Sequence, residues 1–235
     1  MAAISRKKVN SLIPEGSIEG YERPAVTVDV LIFTIDNNRL KVALIRRGIP
    51  PFKGSWALPG GFVHIDESLE EAARREIEEE AGVSDVFLEQ LFTFGDPRRD
   101  PRTRVITVAY YALVPFDRIA LQAATDATEA SWFDVDDVPP LAFDHAQILQ
   151  TAVERLKGKL EYSNVAYALL PLRFRLSELQ NVYEVILGQQ MDKRNFRKKI
   201  ISLGVVEPTG KIDSSGAHRP AQLFRFKTHK MVFIK

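Results

Sequence analysis

The sequence contains no cysteine. Disulfide staples, thiolate metal sites and cysteine nucleophiles are thereby excluded, and a reducing compartment suits the chain. No apolar run comes near the roughly 18 residues that a membrane-spanning helix requires, so no membrane partner is expected. The opening residues, Met-Ala-Ala-Ile-Ser-Arg-Lys-Lys, lack the apolar centre of a secretory signal. A cytoplasmic location is the expectation. An overall excess of charge is also missing, since the formal net charge is only +1. That balance conceals a division of sign: residues 1–170 hold 19 Lys and Arg against 26 Asp and Glu, whereas 171–235 hold 13 against 5. An acidic part can house a cation, and a compact basic part suits a polyanion. With 45% hydrophobic residues over a length of 235, one large domain or two modest ones can bury a core without covalent help.

What is present is organised around Gly61 to Val83, G-F-V-H-I-D-E-S-L-E-E-A-A-R-R-E-I-E-E-E-A-G-V. Ser68 and Glu71 form an S-x-x-E capping box, no β-branched run follows, and Gly82 supplies a stop, so a helix is predicted between them. At about 100° per residue, Leu69, Ala73 and Ile77 share one apolar stripe. Glu76 and Glu80 fall inside that stripe and Glu79 lies beside it, while Glu71 and Glu78 already serve the solvated side. Carboxylates three and four residues apart repel by roughly 0.2–0.5 kcal/mol per pair, and the helix dipole disfavours them at this end. A cation must compensate. Ligands that offer only oxygen point to a hard divalent ion, Mg²⁺ or Mn²⁺.

Gly61, Glu67 and the run Arg75-Glu76-Ile77-x-Glu79-Glu80-x-Gly82-Val83 match every fixed position of the Nudix box, and on these residues the chain resembles the Nudix family. The resemblance implies cleavage of a diphosphate joined to another moiety, by metal-assisted attack of water on phosphorus. It implies that Glu76, Glu79 and Glu80 are metal ligands, that Arg75 orients Glu79, and that Glu67 supports the metal shell. Glu79, Glu80, Arg75 and Glu67 then form the catalytic set.

Around the box, residues 1–22 read as a mobile arm, Val26 to Ile35 as a buried strand, Asp36 to Asn38 as a turn and Leu40 to Arg46 as a hairpin partner. Val86 to Phe94, Arg104 to Val114 and Ser131 to Val135 read as further strands, and Asp144 to Leu156 as a helix. Strands with helices on both faces give an α/β class fold, here the α/β/α sandwich with a mixed sheet that the family shares. Loops in such a fold carry binding groups. Phe52, Trp56 and Phe94 are candidates to stack on an adenine, with core packing as the alternative for Trp56. Arg46 and Arg47, Gly61 and the arginines Arg98, Arg99, Arg102 and Arg104 are candidate ligand contacts, or ordinary surface. Glu129 is a candidate general base by position, or a solvated carboxylate, and His145 a candidate at a helix start.

Beyond a second short helical stretch in residues 157–172, the chain changes character. Ser177 to Gln180 reads as a capping box opening a helix that ends at Gly188, and Asp192 caps a second helix ending at Gly204. The second helix pairs an apolar face, Phe196, Ile200 and Leu203, with Lys193, Arg194, Asn195, Arg197, Lys198 and Lys199. Two short helices and the hairpin that follows, with His218 and Arg219 near its tip, make a winged helix-turn-helix. Double-stranded DNA is the expected partner, most cations meeting phosphate and Asn195 either reading adenine or capping. Over residues 24–226, including Phe143-Asp144-His145-Ala146 and Arg219-Pro220-Ala221-Gln222-Leu223, the chain resembles the bacterial Nudix-domain repressors of NAD biosynthesis genes. The resemblance implies a Nudix domain in 23–160, a linker and winged helix in 161–235 with its boundary near Pro171, and ADP-ribose or a related nucleoside diphosphate as ligand. A homodimer reading paired half-sites is expected. Two functions stay open: a transcription regulator whose Nudix domain is a receptor, and an ADP-ribose pyrophosphatase yielding AMP and ribose 5-phosphate.

Overall fold

A long β-branched run makes the central strand. β1 (Ala25–Asp36) buries Val28, Val30 and Ile32 on one face and Leu31 and Phe33 on the other, as a strand covered on both sides requires. The computed structural model describes residues 22–119, 121, 127–214 and 220–234; the expected arm lies outside them apart from Glu22. Asn37 and Asn38, at φ 50° and 58°, turn the chain into β2 (Arg39–Arg47), which pairs antiparallel with β1. β3 (Trp56–Ala57) and β4 (Gly60–Phe62) lead into α1 (Leu69–Ala81), and β5 (Phe87–Phe94), β6 (Val105–Leu113), β7 (Ala127–Asp134) and α2 (His145–Tyr162) follow.

The sheet order is β3-β2-β1-β6-β5, with β4 also on β1 and β7 also on β2. β1 and β6 are parallel and the other pairs antiparallel, which makes the sheet mixed. α1 lays Ala72, Ala73 and Ile77 on the face carrying Val30, Ile32 and Val108. α2 covers the opposite face with Ile148, Ala152 and Leu156 against Leu31, Phe33 and Tyr111. The α/β/α sandwich is the expected one. α2 runs on to Tyr162, so the expected second helical stretch divides between α2 and a 3₁₀ turn over Val165–Leu169.

The C-terminal part comprises β8 (Phe174–Arg175), α3 (Leu176–Leu187), α4 (Lys193–Ser202), β9 (Val206–Asp213) and β10 (Ala221–Phe226), with strand order β8-β10-β9. Ser177 does not cap α3. The helix opens at Leu176, because β8 is held to β10 and runs directly into it, and the Arg175 N–H donates to Glu178 at 2.6 Å. The turn between α3 and α4 is fixed by Glu184, which accepts from the Met191 N–H and the Gln180 amide, both at 2.8 Å. The Gln180 bond, with that of Met191, holds the Glu184 carboxyl below the usual carboxylate range.

The winged helix shares the sandwich's core. Leu179, Val182, Tyr183, Ile186, Phe196 and Phe226 continue the cluster of Ile148, Leu156, Val165 and Leu169 on the α2 face of the sheet. Buried Lys159 of α2 is ion-paired with Glu89 of β5. After the wing, the tail returns to the end of α2: the Ile234 N–H donates to the Tyr162 carbonyl at 2.7 Å, and Asn164 exchanges hydrogen bonds with Val232 and Lys230. α2 is thus fastened to the sheet on one side and to the winged helix on the other.

Candidate functional site

The box helix starts on the capping box its sequence announces. Ser68 Oγ accepts from the Glu71 N–H at 3.2 Å, and the Glu71 carboxylate accepts from the Ser68 N–H at 2.7 Å. Gly82, at φ 66°, ends the helix and donates to the Glu78 carbonyl. Between these stops the apolar stripe draws Glu76 and Glu80 into the molecule, at 6% and 4% exposed, and leaves Glu79 in solvent. Burial pushes the Glu76 carboxyl up, against the pull of Arg75.

Arg75 is the compensating cation in this structure. Its Nε and Nη2 donate to Glu67 at 3.1 and 2.9 Å, and Nη1 donates to Glu76 Oε1 at 2.7 Å. These bonds hold Glu67 down at about 2, with the His64 N–H assisting, and hold Arg75 above its ordinary value. Arg75, expected to orient Glu79, forms an ion pair with it at 3.7 Å, and its shorter bonds go to Glu76 and to Glu67, which the loop before α1 offers to the guanidinium fork. Among the described residues, no three His, Asp or Glu side chains converge closely enough to hold a metal. Glu76, Glu79 and Glu80 are therefore on one helix side without being gathered. As a donor set they suit a hard cation, being all oxygen and partly withdrawn from water. Gly61 of β4 is what admits Glu76, because a Cβ there would lie 2.4 Å from Glu76 Oε1.

The second half of the site comes from the segment between β2 and β4. Phe52 is exposed and, at φ 59°, in the left-handed region. Its ring meets Phe143 edge-on at 4.8 Å, and the Arg47 guanidinium lies 5.0 Å from the centre of the Phe143 ring while Nε donates to the Pro51 carbonyl. Arg46 donates to the Gly54 carbonyl and faces Glu129 of β7 at 3.6 Å, so the candidate base is matched with an arginine at the sheet edge. Trp56 is half-buried against Phe133. Phe94 is reassigned: it is buried in the core on the α2 face, because the register shift between Gln90 and Phe92 turns the end of β5 that way. Phe52 is the exposed ring of the three.

Between β5 and β6, two arginines of one loop point different ways. Arg102 is held by Asp100 at 2.7 Å and lies 5.6 Å from the ring of Phe62 in β4, beside the box. Arg99 does not face solvent as a phosphate contact; it is buried, donating to Asp144 at 3.0 and 2.7 Å and to Asp29 at 3.1 Å. Asp144 occupies the N-cap of α2 yet makes no capping bond with its side chain, forgoing a contact worth about 0.5–2 kcal/mol. The next residue, His145, is buried, and its Nδ1 accepts the Leu58 N–H at 2.9 Å. The remaining proton then belongs on Nε2, which faces Asp29 Oδ1 at 3.5 Å. Burial pushes the His145 imidazolium well below its ordinary range despite Asp29. Phe143 and Asp29 had one sequence signal each: Asp29 is an isolated acid in an otherwise apolar strand, and Phe143 belongs to the motif before α2.

On the winged helix, the Asp192 carboxylate accepts the Asn195 N–H at 2.8 Å, so Asp192 and not Asn195 is the cap. Phe196 and Ile200 are buried, and Lys193, Arg194, Asn195, Arg197, Lys198 and Lys199 are exposed, with Arg194, Arg197 and Lys198 bordering one shallow surface with Ile201. The Arg197 guanidinium lies 5.8 Å from the Phe224 ring of β10. His218 and Arg219 fall outside the described residues.

Residues 24–152 match the model of the NUDIX domain, and residues 166–226 match that of the NrtR DNA-binding winged helix domain. The chain is 41% identical to the ADPR responsive transcriptional repressor NtrR of Acinetobacter baylyi over 88% of this chain and 83% of that one. It is 45% identical to the ADP-ribose pyrophosphatase of Methanocaldococcus jannaschii over 55% of this chain and 73% of the relative. The crystal structure of Shewanella oneidensis NrtR complexed with a 27mer DNA superposes with a TM-score of 0.77 at 38% identity, covering 86% of this chain and 93% of that one. With both halves matched and the order of sandwich, connecting helix and winged helix preserved, the chain belongs to the Nudix family and, within it, to the NrtR regulators.

Proposed function

We propose that this protein is an ADP-ribose-responsive transcriptional repressor of NAD biosynthesis or salvage genes, in which the Nudix domain is the receptor and α4 the DNA reader. The observation that carries the reading is the exposed face of Arg194, Arg197 and Lys198, backed by buried Phe196 and Ile200 and joined through one continuous core to a sheet bearing a complete Nudix box. Cations on one helix face neutralise phosphates, and Asn195, relieved of capping, is available to a base edge. One winged helix reads a short half-site, so the active form is a homodimer whose half-sites lie about 34–36 Å or a multiple apart. The test is a gel shift with the control regions of NAD biosynthesis genes, titrated with ADP-ribose. Retardation that ADP-ribose changes supports the reading; no retardation at low salt overturns it.

A second reading is favoured by the intact box and by the likeness to an ADP-ribose pyrophosphatase. Glu76, Glu79 and Glu80 would hold Mg²⁺ or Mn²⁺, which would supply neutralisation of phosphate oxygens and an acidified water. Arg75 fixes Glu67 and competes for Glu76, Gly61 leaves room for that carboxylate, and Phe52 with Arg47 binds the nucleotide end. The two readings are compatible, since a receptor that slowly cleaves its ligand still reports it. Formation of AMP from ADP-ribose, dependent on the metal, is the measurement that decides this second activity.

A further inference from the structure

Four charged or titratable groups are withdrawn from water at the start of α2, away from the box carboxylates: Arg99, Asp29, Asp144 and His145. Burying such a set is weak evidence of stability, because apolar residues of similar volume serve a core at least as well. Its geometry has another consequence. Arg99 comes from the loop that carries Arg102 to the edge of the box, over Phe62. Asp144 is the N-cap of the helix whose far end is fastened to the winged helix. The Asp144 carboxylate is turned away from its own helix and spent on both sides of the Arg99 fork. α2 spans 18 residues, about 27 Å at 1.5 Å per residue.

We propose that Arg99 is a positioning residue that couples the ligand pocket to the DNA reader, by holding the N-terminus of α2 through Asp144. A nucleoside diphosphate that moves the Arg102 loop moves Arg99 with it, and the bidentate pair passes the displacement to α2 and so to α4. Phe143, at φ 53° and in ring contact with exposed Phe52, gives the pocket a second hold on the same turn. Asp29 anchors Arg99 to β1 within the sandwich and meets α2 at His145 Nε2, 3.5 Å away, so its replacement leaves the Arg99–Asp144 fork in place. The inference rests on the regulatory reading given above, and it identifies which contact carries the regulation.

Coupling between two sites is a measurable ratio and is reciprocal. The probe is α,β-methylene ADP-ribose, which resists hydrolysis, titrated calorimetrically into the full chain with and without a duplex selected by that chain from a random pool. In the unsubstituted chain the ligand dissociation constant changes by about 5–150-fold on adding DNA. Asp144→Asn brings that ratio to within about twofold of unity while each partner still binds alone, and Asp29→Asn leaves the ratio in place. Should Asp144→Asn fail to fold in a thermal scan, Arg99→Lys, which keeps the charge and loses the fork, lowers the ratio instead. A wild-type ratio in Asp144→Asn, or in Arg99→Lys where that variant replaces it, overturns the proposal alone. Equal loss in Asp144→Asn and Asp29→Asn overturns it by making the network merely structural. A ratio of one in the unsubstituted chain overturns the regulatory reading and this inference together.

Discussion

His145 Nδ1 accepts the Leu58 N–H at 2.9 Å, across 87 positions of sequence. Leu58 lies between β3 and β4, two residues before the Gly60-Gly61 pair that receives the box helix. A neutral imidazole is therefore part of what sets the position of β4, and the charged form, with a proton on Nδ1, cannot accept that bond.

Acid should consequently weaken the fold through His145. Its folded pKa lies below the ordinary 6.5, so the unfolded chain binds the proton more readily, and stability is full above about pH 6.5 and falls as pH drops below it. The slope reaches at most about 1.36 kcal/mol per pH unit for one such group. Asp29, Arg99, Asp144 and Arg47 face it and set how far the fall extends. Urea unfolding at a series of pH values should show His145→Asn, whose amide oxygen can still accept from Leu58, losing this part of the slope. An unchanged slope would place the acid sensitivity elsewhere.

The two adjacent glycines should behave differently when replaced by alanine. At Gly60 a Cβ would lie 2.2 Å from the Val28 carbonyl oxygen, a backbone atom in the central strand, so Gly60→Ala should cost about 1–3 kcal/mol or more. At Gly61 the atom met is the end of the Glu76 side chain, which can swing away. Gly61→Ala should thus unfold nearly as the parent does and yet lose metal-dependent AMP formation. Equal losses of stability in both variants would contradict the distinction.

Local features were legible and distant ones were not. The box helix follows from Ser68, Glu71 and Gly82, all neighbours in sequence, and the α4 cap from Asp192. The turn of Phe94 to the α2 face was not readable, since it follows from a register shift between Gln90 and Phe92 that arises in the pairing of β5 with β6 and breaks the strand's alternation. Arg99 sits among exposed arginines, and its partners Asp29 and Asp144 lie 70 and 45 positions away, so composition suggested a phosphate contact where the fold makes a buried fork. Ser177 failed as a cap because pairing of β8 with β10, a tertiary contact, determines where α3 begins. The return of the tail to Tyr162 and Asn164 had no sequence signature, being made of backbone bonds and the amide of a single Asn of ordinary type.

The metal assignment leads to a stability measurement that does not depend on turnover. Glu80 is buried, so Glu80→Gln preserves shape while removing one anionic ligand. Mg²⁺ or Mn²⁺ at about 100 times its dissociation constant should stabilise the parent by about 2.7 kcal/mol, and the variant by much less. Thermal melts with the ion and with EDTA make the comparison. Equal stabilisation of the two proteins would remove Glu80 from the ligand set.

The DNA face is open to a test by salt. Each phosphate contact releases counterions, and its loss lowers the slope of log K against log salt by about 0.9. Arg194 and Arg197 lie three residues apart on one exposed face of α4, so Arg194→Ala with Arg197→Ala should reduce the slope by about 2 if both meet phosphate. A smaller drop with altered sequence preference would instead place one of them on a base edge, most readily a guanine. Arg74→Ala serves as the control, since that arginine is exposed on α1, paired with Glu70 at 2.8 Å, and belongs to the Nudix half. Its replacement changes net charge without touching α4, and the slope should stay within the error of the parent. An equal drop in the control would mean that overall charge and not the α4 face draws the nucleic acid.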